Sequence, residues 1–346
     1  MSDAYAAAGV SITSSDEGVR ALVEVLRTID PGRPSRSLLG SGHYASVLRL
    51  TDDLAIALST DGVGSKLVVA EQTGRLDTVG IDCIAMNVND LVCVGAEPIA
   101  MLDYLAVEQP DPAALAQIAL GLKRGAEDAG IEIPGGELAV LPELIRGHPS
   151  PNGFDLCGAA FGTVAPDAIV TGAAIAAGDA LVGLPSSGLH SNGYTLARRA
   201  LLDDGGLGLQ DTPEELGGAT VADALLEPTV IYVRAVLELL ASPVDVRGLA
   251  HITGGGLANL LRLNDGVGFA IDAPLPVPPV FALIARLGAV PEAEMWDVFN
   301  MGCGFVAVVP AADADAAVAL LAARHPGSAR IGTVTAHAGQ IERPRG

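Results

Sequence analysis

The stretch LAIALSTDGVGSKLVVAE, residues 54–71, decides the fold class. Its apolar start at 54–60 predicts a buried strand, DGVGSK predicts a turn, and Lys66 begins a short predicted helix. The glycines of the turn suggest a phosphate-binding loop. The phosphate loop of NTPases, however, has four residues between its two glycines and a lysine directly after the second glycine. Here Gly62 and Gly64 are two apart and Ser65 precedes the lysine, so this turn is of another kind.

The alternation of strands and helices continues along the chain. Apolar spacing and cap residues predict helices at 18–29, 80–94, 111–129, 223–241, 279–287 and 312–324, and strands at 99–107, 154–164, 269–272, 304–309 and 330–335. In strand 99–107, alternation places Asp103 on the face of Ile99 and Met101. This order predicts an α/β or α+β protein, and a change of character near 165–178 predicts two domains.

Composition argues against several classes of partner. The formal net charge of −21 disfavours nucleic acid, because sequence-independent binding needs a basic surface. No apolar run reaches the roughly 18 residues that span a bilayer, and the N-terminus does not have the pattern of a secretory signal. The four cysteines have neither metal-ligand nor redox spacing. These features predict a cytoplasmic protein that binds neither membrane nor nucleic acid.

The mainly apolar predicted helix GIDCIAMNVNDLVC, residues 80–93, carries four polar side chains. Asn87 and Asp90 are three residues apart and share one face, while Asp82 and Asn89 share a neighbouring face. Lone buried charges are costly, and one cation can satisfy several such groups at once. Capping and solvent exposure would explain Asp82 easily but Asn87 and Asp90 poorly.

Two turns that contain glycine offer further polar groups. In DGVGSK, Asp61 suits Mg²⁺ and Lys66 suits phosphate oxygens, while an ordinary turn with a surface lysine is the alternative. Lysine occurs at only two positions of the chain, 66 and 123, which favours a specific role for the first. In PGGEL, at 134–138, paired glycines predict a tight turn that presents Glu137.

Two segments in the second half predict anion sites. PSSGLHSNGYTLARRALL, at 185–202, gathers hydroxyl, amide and imidazole groups at the start of a helix, where backbone N–H groups bind anions. A packed, neutral His190 is the alternative. AHITGGGLANLLRL, at 250–263, places three glycines before another helix and after His251 and Thr253, with a flexible connector as the alternative.

Together these motifs resemble the phosphoribosylformylglycinamidine cyclo-ligase family, also called aminoimidazole ribonucleotide synthetase or PurM. The resemblance covers nearly the whole chain, including YAAAGVSI, STDGVGSKLVVA, PGGELA, HITGGGLANLLRL and EMWDVFNMGCGFVAVV. It implies a two-domain PurM-like fold, with an ATP- and Mg²⁺-binding domain at 1–165 whose sheet forms a homodimer, and a substrate-binding domain at 166–346. The implied reaction converts formylglycinamidine ribonucleotide and ATP into 5-aminoimidazole ribonucleotide, ADP and phosphate, in de novo purine biosynthesis.

By matching positions, the resemblance implies roles for individual residues. The residues implied for nucleotide and metal are Asp61, Gly62, Gly64, Ser65, Lys66, Asp82, Asn87, Asp90 and Glu137, with Asp61 and Asp90 as the Mg²⁺ ligands. Those implied for substrate are Ser187, His190, Ser191, Asn192, Thr253, Gly254, Gly255 and Gly256. Those implied for catalysis are His190, His251, Lys66 and Asp103.

The chain departs from the family pattern at several positions. Ser65 stands where Thr is usual, and Leu138 and Leu141 replace a Thr and a Met. The segment SLLGSGHYASVL, at 37–48, is shorter and poorer in glycine than the one thought to close over ATP. Two alternatives follow: another phosphotransferase of the superfamily, similar to HypE, selenophosphate synthetase or thiamine-monophosphate kinase, or a nucleotide-binding paralogue without turnover.

Overall fold

A computed structural model describes residues 12–40 and 42–343, and within them the side chains from residue 17 onward; residues 5–11 of the YAAAGVSI motif lie outside this range. The helices are α1 Ile12–Leu26, α2 Lys66–Thr73, α3 Val79–Cys93, α4 Pro112–Ala129, α5 Tyr194–Arg198, α6 Val221–Leu226, α7 Val233–Leu240, α8 Pro279–Leu287, α9 Glu292–Val298 and α10 Ala314–Arg324. The strands are β1 Ser46–Arg49, β2 Ala55–Gly62, β3 Glu97–Val107, β4 Glu132–Val140, β5 Phe154–Val164, β6 Ala180–Pro185, β7 Gly248–His251, β8 Gly268–Ile271, β9 Cys303–Val309, β10 Ala329–Thr335 and β11 Ile341–Glu342.

The first sheet joins five strands in the order β1–β2–β5–β3–β4. Only β3 and β4 run parallel, and the other neighbours are antiparallel. Helix α3 covers the inner face of this sheet, and α4 packs behind α3. Gly80 allows the two helices to touch, because a Cβ atom there would lie 2.1 Å from the Leu122 nitrogen.

The second sheet joins six strands in the order β11–β8–β10–β6–β9–β7. Strand β11 is parallel to β8, and the other neighbours are antiparallel. Helix α10 packs against β6 and β10, and α7 packs against α10. Helix α3 also contacts β7 and α7, so both sheets share it. The two sheets with their helices confirm the predicted α/β (α+β) class.

Local signals predicted several boundaries correctly. Helix α4 begins after Asp111, whose carboxylate accepts a hydrogen bond from the Ala113 N–H at 2.9 Å, and ends at Gly130 with φ 75°. Helix α2 begins at Lys66 and β5 spans Phe154–Val164, as predicted. Within the described ranges, no helix is long and apolar enough to cross a membrane.

The single helix predicted at 223–241 is wrong. The chain forms α6, a non-helical segment at 227–232, and then α7. Pro228 lacks an amide hydrogen and disfavours helical geometry at the residue before it. Glu227 accordingly has φ −54° and ψ 124°. This break matters because the segment 227–232 contacts the first half of the chain.

The predicted face of strand β3 is only partly right. The pairing of β3 with β5 skips Ile99, which marks a bulge. Ile99 is 41% exposed, whereas Met101 is fully buried. Asp103 therefore shares the inner face with Met101 but not with Ile99.

The two predicted turns also differ from the structure. Strand β2 continues through Gly62, so the first turn starts at Val63. PGGEL forms part of β4, where Gly136 is required because a Cβ atom would lie 2.3 Å from Asp103 Oδ1.

The helix predicted at 18–29 spans 12–26 in the structure. Four elements have no predicted counterpart: β1, β7, β11 and α9.

Candidate active site

Helix α3 lies between the two sheets and carries the polar groups around which the site is built. It contacts β2, β3 and β5 on one side and β7 and α7 on the other. Asp82, Asn87 and Asn89 are fully buried, so each of them needs polar partners. Those partners come from both halves of the chain.

The Lys66 ammonium forms a buried ion pair with Asp82, with Nζ 2.9 and 2.8 Å from the two carboxylate oxygens. The same Nζ donates to the main-chain carbonyls of Glu227 at 2.6 Å and His190 at 3.3 Å. Thr229 donates to Asp82 from its N–H at 2.8 Å and its hydroxyl at 2.6 Å. The ion pair therefore ties α2 and α3 to two segments of the second half.

This environment corrects the predicted roles of Lys66 and Asp82. Both side chains are 0% exposed, and the acceptors around Nζ use the donors of the ammonium. Burial lowers the pKa of Lys66, while the Asp82 charge opposes that change. The two residues form a structural ion pair here, and the Lys66 ammonium is bound to groups of the protein itself.

About two turns along α3 from the ion pair, Asp90 meets His251 of β7. The Asp90 oxygen Oδ1 lies 2.9 Å from His251 Nδ1, and the other ring nitrogen lies 3.4 Å from Asn89 Nδ2. The imidazole is 0% exposed, whereas the Asp90 side chain is 16% exposed. His251 therefore orients the Asp90 carboxylate from its buried side, and the catalytic role of His251 stays a prediction.

Asn89 attaches the segment 227–232 beside this pair. Its Nδ2 donates to the Val230 carbonyl at 2.9 Å, and its Oδ1 accepts from the Tyr232 N–H at 2.9 Å. The buried Asn89 amide thus provides hydrogen-bond partners for two backbone groups of this segment, the Val230 carbonyl and the Tyr232 N–H. The sequence did not predict this contact, because it read residues 223–241 as one helix.

The Ser-rich loop at 186–193 packs against the same segment. Ser187 donates its hydroxyl to the Pro228 carbonyl at 2.6 Å, and Ser191 Oγ lies 3.3 Å from Thr229 Oγ1. The Ser187 hydroxyl is therefore engaged with protein. Ser191 remains half-buried at the gap between the two halves.

His190, in that loop, is a packed core residue. It is 1% exposed and has φ 62°, a left-handed conformation that is uncommon for residues other than glycine. Its Nε2 accepts from the Ser187 N–H at 3.3 Å. Burial, and then the nearby His251 and Lys66, lower the pKa of His190 well below its usual value. The ring is therefore packed in this structure, with its Nδ1 buried and without a hydrogen-bond partner among the described residues. The catalytic and substrate roles of His190 stay predictions.

The Gly-rich turn after β7 faces the Ser-rich loop. A Cβ atom at Gly254 would lie 3.3 Å from Asn192 Oδ1, so the two loops approach closely. Asn259 shapes the turn, since its Oδ1 accepts from the Thr253 N–H at 2.7 Å and its Nδ2 donates to the Gly254 carbonyl at 3.1 Å. Gly255 and Gly256 have φ values of 93° and 55°, in the left-handed region that favours glycine. The structure thus brings the two predicted substrate loops together.

The turn between β2 and α2 brings Asp61 towards the same region. Asp61 Oδ1 accepts from the Gly62 N–H at 2.7 Å, and Gly64 turns the chain with φ 73°. Ser65 Oγ lies 3.4 Å from Thr195 Oγ1 of α5, another contact between the halves.

Asp61 and Asp90 are electrostatic neighbours. The Asp61 side chain reaches solvent, but surrounding protein atoms desolvate its carboxyl and raise its pKa, and the Asp90 charge raises it further. Asn87 donates to the Asp61 carbonyl at 3.1 Å. Its Oδ1 is buried and has no hydrogen-bond partner among the described residues. These groups together offer oxygen atoms to a cation.

Asp103 lies on the same inner face as Asp61, but two strands away. Both residues pair with Gly158 of β5, one from each side, which separates them by about 10 Å at the usual strand spacing. Burial raises the pKa of Asp103. Glu137 pairs with Tyr104 on the opposite face and is exposed, so it does not join the other carboxylates as predicted.

Residues before β1 also reach the site, in the segment 37–48 whose family counterpart is thought to close over ATP, although the sequence predicted no role for His43 and Tyr44. Tyr44 donates its hydroxyl to the Asn259 carbonyl at 2.9 Å, and the Arg262 guanidinium lies 5.3 Å from the centre of its ring. His43, Tyr44 and Asp90 border a cavity of about 640 Å³. An aromatic residue inside the Gly-poor segment 37–48 was the one available signal.

The class of protein follows from comparison with known families and structures. Residues 42–164 match AIR synthase related protein, N-terminal domain, and residues 176–342 match AIR synthase related protein, C-terminal domain. AaThiL complexed with AMPPCP and TMP has a TM-score of 0.64 at 16% identity, covering 96% of this chain and 95% of that one. Hydrogenase maturation protein HypE in complex with ATP has a TM-score of 0.62 at 22% identity, covering 90% and 86%. The fold is therefore PurM-like.

Curated relatives define the family within that class. The phosphoribosylformylglycinamidine cyclo-ligase of Thermococcus gammatolerans is 48% identical over 344 residues, covering 97% of this chain and 96% of the relative. That of Methanothermobacter thermautotrophicus is 47% identical over 342 residues, covering 98% and 96%. The chain belongs to the phosphoribosylformylglycinamidine cyclo-ligase family.

Replacing Asp82 by Asn should destabilise the protein by about 3–5 kcal/mol, because it leaves the Lys66 ammonium buried without its counter-ion. The double variant Lys66→Met/Asp82→Asn removes both charges and should recover part of that loss. Urea unfolding of the parent, both single variants and the double variant measures this coupling. Unchanged stability in Asp82→Asn, with weaker ATP binding in Lys66→Met, would restore the phosphate role of Lys66.

His190 should make the folded protein sensitive to mild acid. Its pKa is lowered on folding, so below about pH 6.5 the unfolded chain binds a proton that the folded chain rejects, and stability falls by up to ~1.4 kcal/mol per pH unit. His190→Asn keeps a residue that tolerates positive φ but cannot titrate. The unfolding free energy of the variant, measured from pH 7.5 to 5, should fall less steeply than that of the parent. Parallel curves would contradict this prediction.

Proposed function

We propose that this chain closes the imidazole ring of 5-aminoimidazole ribonucleotide, using ATP and formylglycinamidine ribonucleotide, as a step of de novo purine biosynthesis. The observation that carries the proposal is the 2.9 Å contact between Asp90 of the first half and His251 of the second. This contact sets an accessible carboxylate beside a cavity of about 640 Å³. The family relationship names the reaction, and this geometry offers a place for it.

Mg²⁺ fits the oxygen groups at this position. Mg²⁺ is usually held by one or two carboxylates together with phosphate oxygens and water. Within the described residues, no three His, Cys, Asp or Glu side chains form a metal cluster, so a protein-only cage is absent there. Asp61 and Asp90 would hold the ion, and the unpartnered Asn87 Oδ1 could accept from a water bound to it. When bound, Mg²⁺ neutralises phosphate charge.

The chemistry needs two displacement steps. In the first, the formamide oxygen of the substrate forms a bond to the γ-phosphorus of ATP, and the bond from that phosphorus to ADP breaks. In the second, a substrate nitrogen bonds to the activated carbon and loses a proton, while the C–O bond breaks and phosphate leaves. Phosphate is a far better leaving group than an amide oxygen. The protein therefore has mainly to position the reactants and compensate charge.

The loops around Asp90 suit that task. The half-buried Asn192 faces the Gly-rich turn at Gly254, and the half-buried Ser191 precedes it in the chain. We assign Ser191, Asn192, Thr253 and Gly254 to substrate binding. His251 fixes the Asp90 carboxylate, and Asp103 lies two strands away from Asp61 on the inner face of the first sheet. We assign the nucleotide to a domain at 1–165 and the substrate to a domain at 166–346, so that the reaction takes place between them.

A homodimer formed through the first sheet is part of this proposal. Four large apolar side chains on the outer face of that sheet are 38–51% exposed: Leu58, Leu102, Tyr104 and Phe161. A contiguous apolar face of this kind is typical of a protein interface. Three of these side chains, Leu58, Leu102 and Phe161, also line the cavity of about 640 Å³ beside Asp90. The cavity therefore borders the apolar face proposed as the dimer interface.

Leu102→Glu should convert the dimer into a monomer, because it places a charge in the centre of that apolar face. Light scattering after gel filtration should give twice 35.0 kDa for the parent and 35.0 kDa for the variant. Leu144→Glu, at a position 79% exposed and outside the face, should remain dimeric. A monomeric parent, or a dimeric Leu102→Glu variant, would rule out this interface.

An ADP-release assay tests the function directly. The parent should release ADP with formylglycinamidine ribonucleotide, in step with formation of aminoimidazole ribonucleotide, and should not do so with thiamine monophosphate or selenide. Asp90→Asn should lower turnover by at least ~100-fold, because it removes a charge that stabilises the transferring phosphoryl group through the metal.

The matched control for that variant is Asp167→Asn, an exposed aspartate on the linker between the sheets, which should keep parental turnover. Near-normal turnover in Asp90→Asn would remove Asp90 from the metal site. If the parent binds nucleotide but releases no ADP in the presence of substrate, the proposed enzymatic activity is wrong. That result would favour a non-catalytic paralogue.

A further inference from the structure

His43, between α1 and β1, has a buried ring nitrogen without a partner. Its Nδ1 accepts a hydrogen bond from the Tyr44 N–H at 3.0 Å, so this nitrogen carries no proton. The imidazole proton is then on Nε2. That N–H is shielded from solvent and meets no acceptor in the part of the chain that the structure describes.

Such a donor is costly to leave unpaired. A buried N–H without an acceptor costs about 1–3 kcal/mol, and most buried polar groups in native proteins have partners. Nδ1 is already bonded to the Tyr44 N–H, and Tyr44 is anchored by its hydroxyl to the Asn259 carbonyl at 2.9 Å, so a new acceptor has to come to Nε2. Because Nε2 is buried in the unliganded chain, an acceptor in the cavity reaches it only after a small movement of the ring or its neighbours. An acceptor atom from a ligand would remove this cost.

The surroundings of His43 indicate the chemistry of that ligand. The ring borders the cavity of about 640 Å³ that Asp90 also lines. Burial and the Arg262 charge lower the pKa of His43, and the Asp90 charge opposes them. The neutral ring can therefore donate only from Nε2.

Arg262 adds a positive charge close to this donor. Its guanidinium lies over the Tyr44 ring and forms no ion pair with any described carboxylate, although the chain carries a net charge of −21. A cation that stays free of carboxylates in so acidic a protein is available to an anionic ligand. His43 and the candidate Mg²⁺ ligand Asp90 border this cavity, and the Arg262 guanidinium lies against Tyr44, which also borders it. An N–H donor, a nearby cation and a candidate Mg²⁺ ligand suit phosphate oxygens.

We propose that His43 Nε2–H donates a hydrogen bond to a phosphate oxygen of a ligand bound in this cavity, with Arg262 as the nearby cation. The phosphate belongs either to ATP or to the ribonucleotide substrate, and this identification rests on the proposed function. His43 is then a phosphate-binding residue supplied by the Gly-poor segment 37–48, in which the chain departs from its family.

Two amide variants separate the two nitrogens of the ring. His43→Asn places an acceptor near the Nδ1 position and keeps the contact with Tyr44, but it cannot reach the Nε2 position. His43→Gln places an amide N–H near the Nε2 position. Calorimetric titration of the full chain with Mg–AMPPCP, a non-hydrolysable ATP analogue that keeps all three phosphates, and separately with formylglycinamidine ribonucleotide, measures affinity independently of turnover.

His43→Asn should weaken binding of one ligand by about 10- to 100-fold, as expected for a hydrogen bond to a charged group. The ligand affected identifies the source of the phosphate. His43→Gln should stay within about 3-fold of the parent, and the melting temperature of unliganded His43→Asn should not fall, because an unpaired donor has been removed. His337→Phe, at an exposed histidine, is the control and should bind both ligands as the parent does.

Equal affinities of the parent and His43→Asn for both ligands would overturn the proposal. So would equal losses in His43→Asn and His43→Gln together with a lower melting temperature, since that pattern denotes packing. A parent that binds ligands but releases no ADP would refute the proposed function alone, and calorimetry would still decide the role of His43. A parent that binds neither ligand would refute both.

Discussion

The buried ion pair between Lys66 and Asp82 is the constraint on which the rest of the structure depends. An ammonium in a dry interior needs acceptors on several sides, and here the main chain supplies two of them, at His190 and Glu227. Displacing either segment would leave an N–H of the buried ammonium without an acceptor, which costs about 1–3 kcal/mol or more. The pair therefore fixes how the second half of the chain sits against α3, before any ligand is considered.

Helix α3 transmits that fixed geometry to the reactive groups. Positions 82 and 89 are seven residues apart, close to two helical turns, so both face the second half. Asp90 follows directly and meets His251, while Asn87 points back towards Asp61 of the first sheet. One rigid helix thus holds the structural ion pair at one end and the candidate metal groups at the other. Precise sites are usually built on rigid elements of this kind.

The sequence predicted those parts of the fold that short-range chemistry determines. Asp111 and Gly130 mark the ends of α4, and the apolar run of β5 was predicted residue for residue. The errors occurred where distant contacts decide. Lys66 follows a glycine turn, as a phosphate-binding lysine would, yet it is bound to Glu227, 161 residues later in the chain. Helical spacing at 223–241 concealed the effect of Pro228.

The same division applies to the site. Motif order was enough to identify the family and to select Asp61, Asp90 and His251. It could not show that His251 contacts Asp90, because that distance depends on the packing of two sheets. His43 lies where the chain departs from the family pattern, so matching positions gave it no role. Its unpartnered N–H became evident only from the three-dimensional surroundings.

The origin of the acceptors around Lys66 also affects how the protein is made. Ribosomes deliver the chain from its N-terminus, so Lys66 and Asp82 emerge early, whereas the carbonyls of His190 and Glu227 follow 124 and 161 residues after Lys66. Until those residues emerge, the ammonium has only Asp82 and water as partners. The side of α3 that packs against the second half therefore stays in contact with water while the first half is being made. This side becomes buried late in biosynthesis, after most of the second half has emerged.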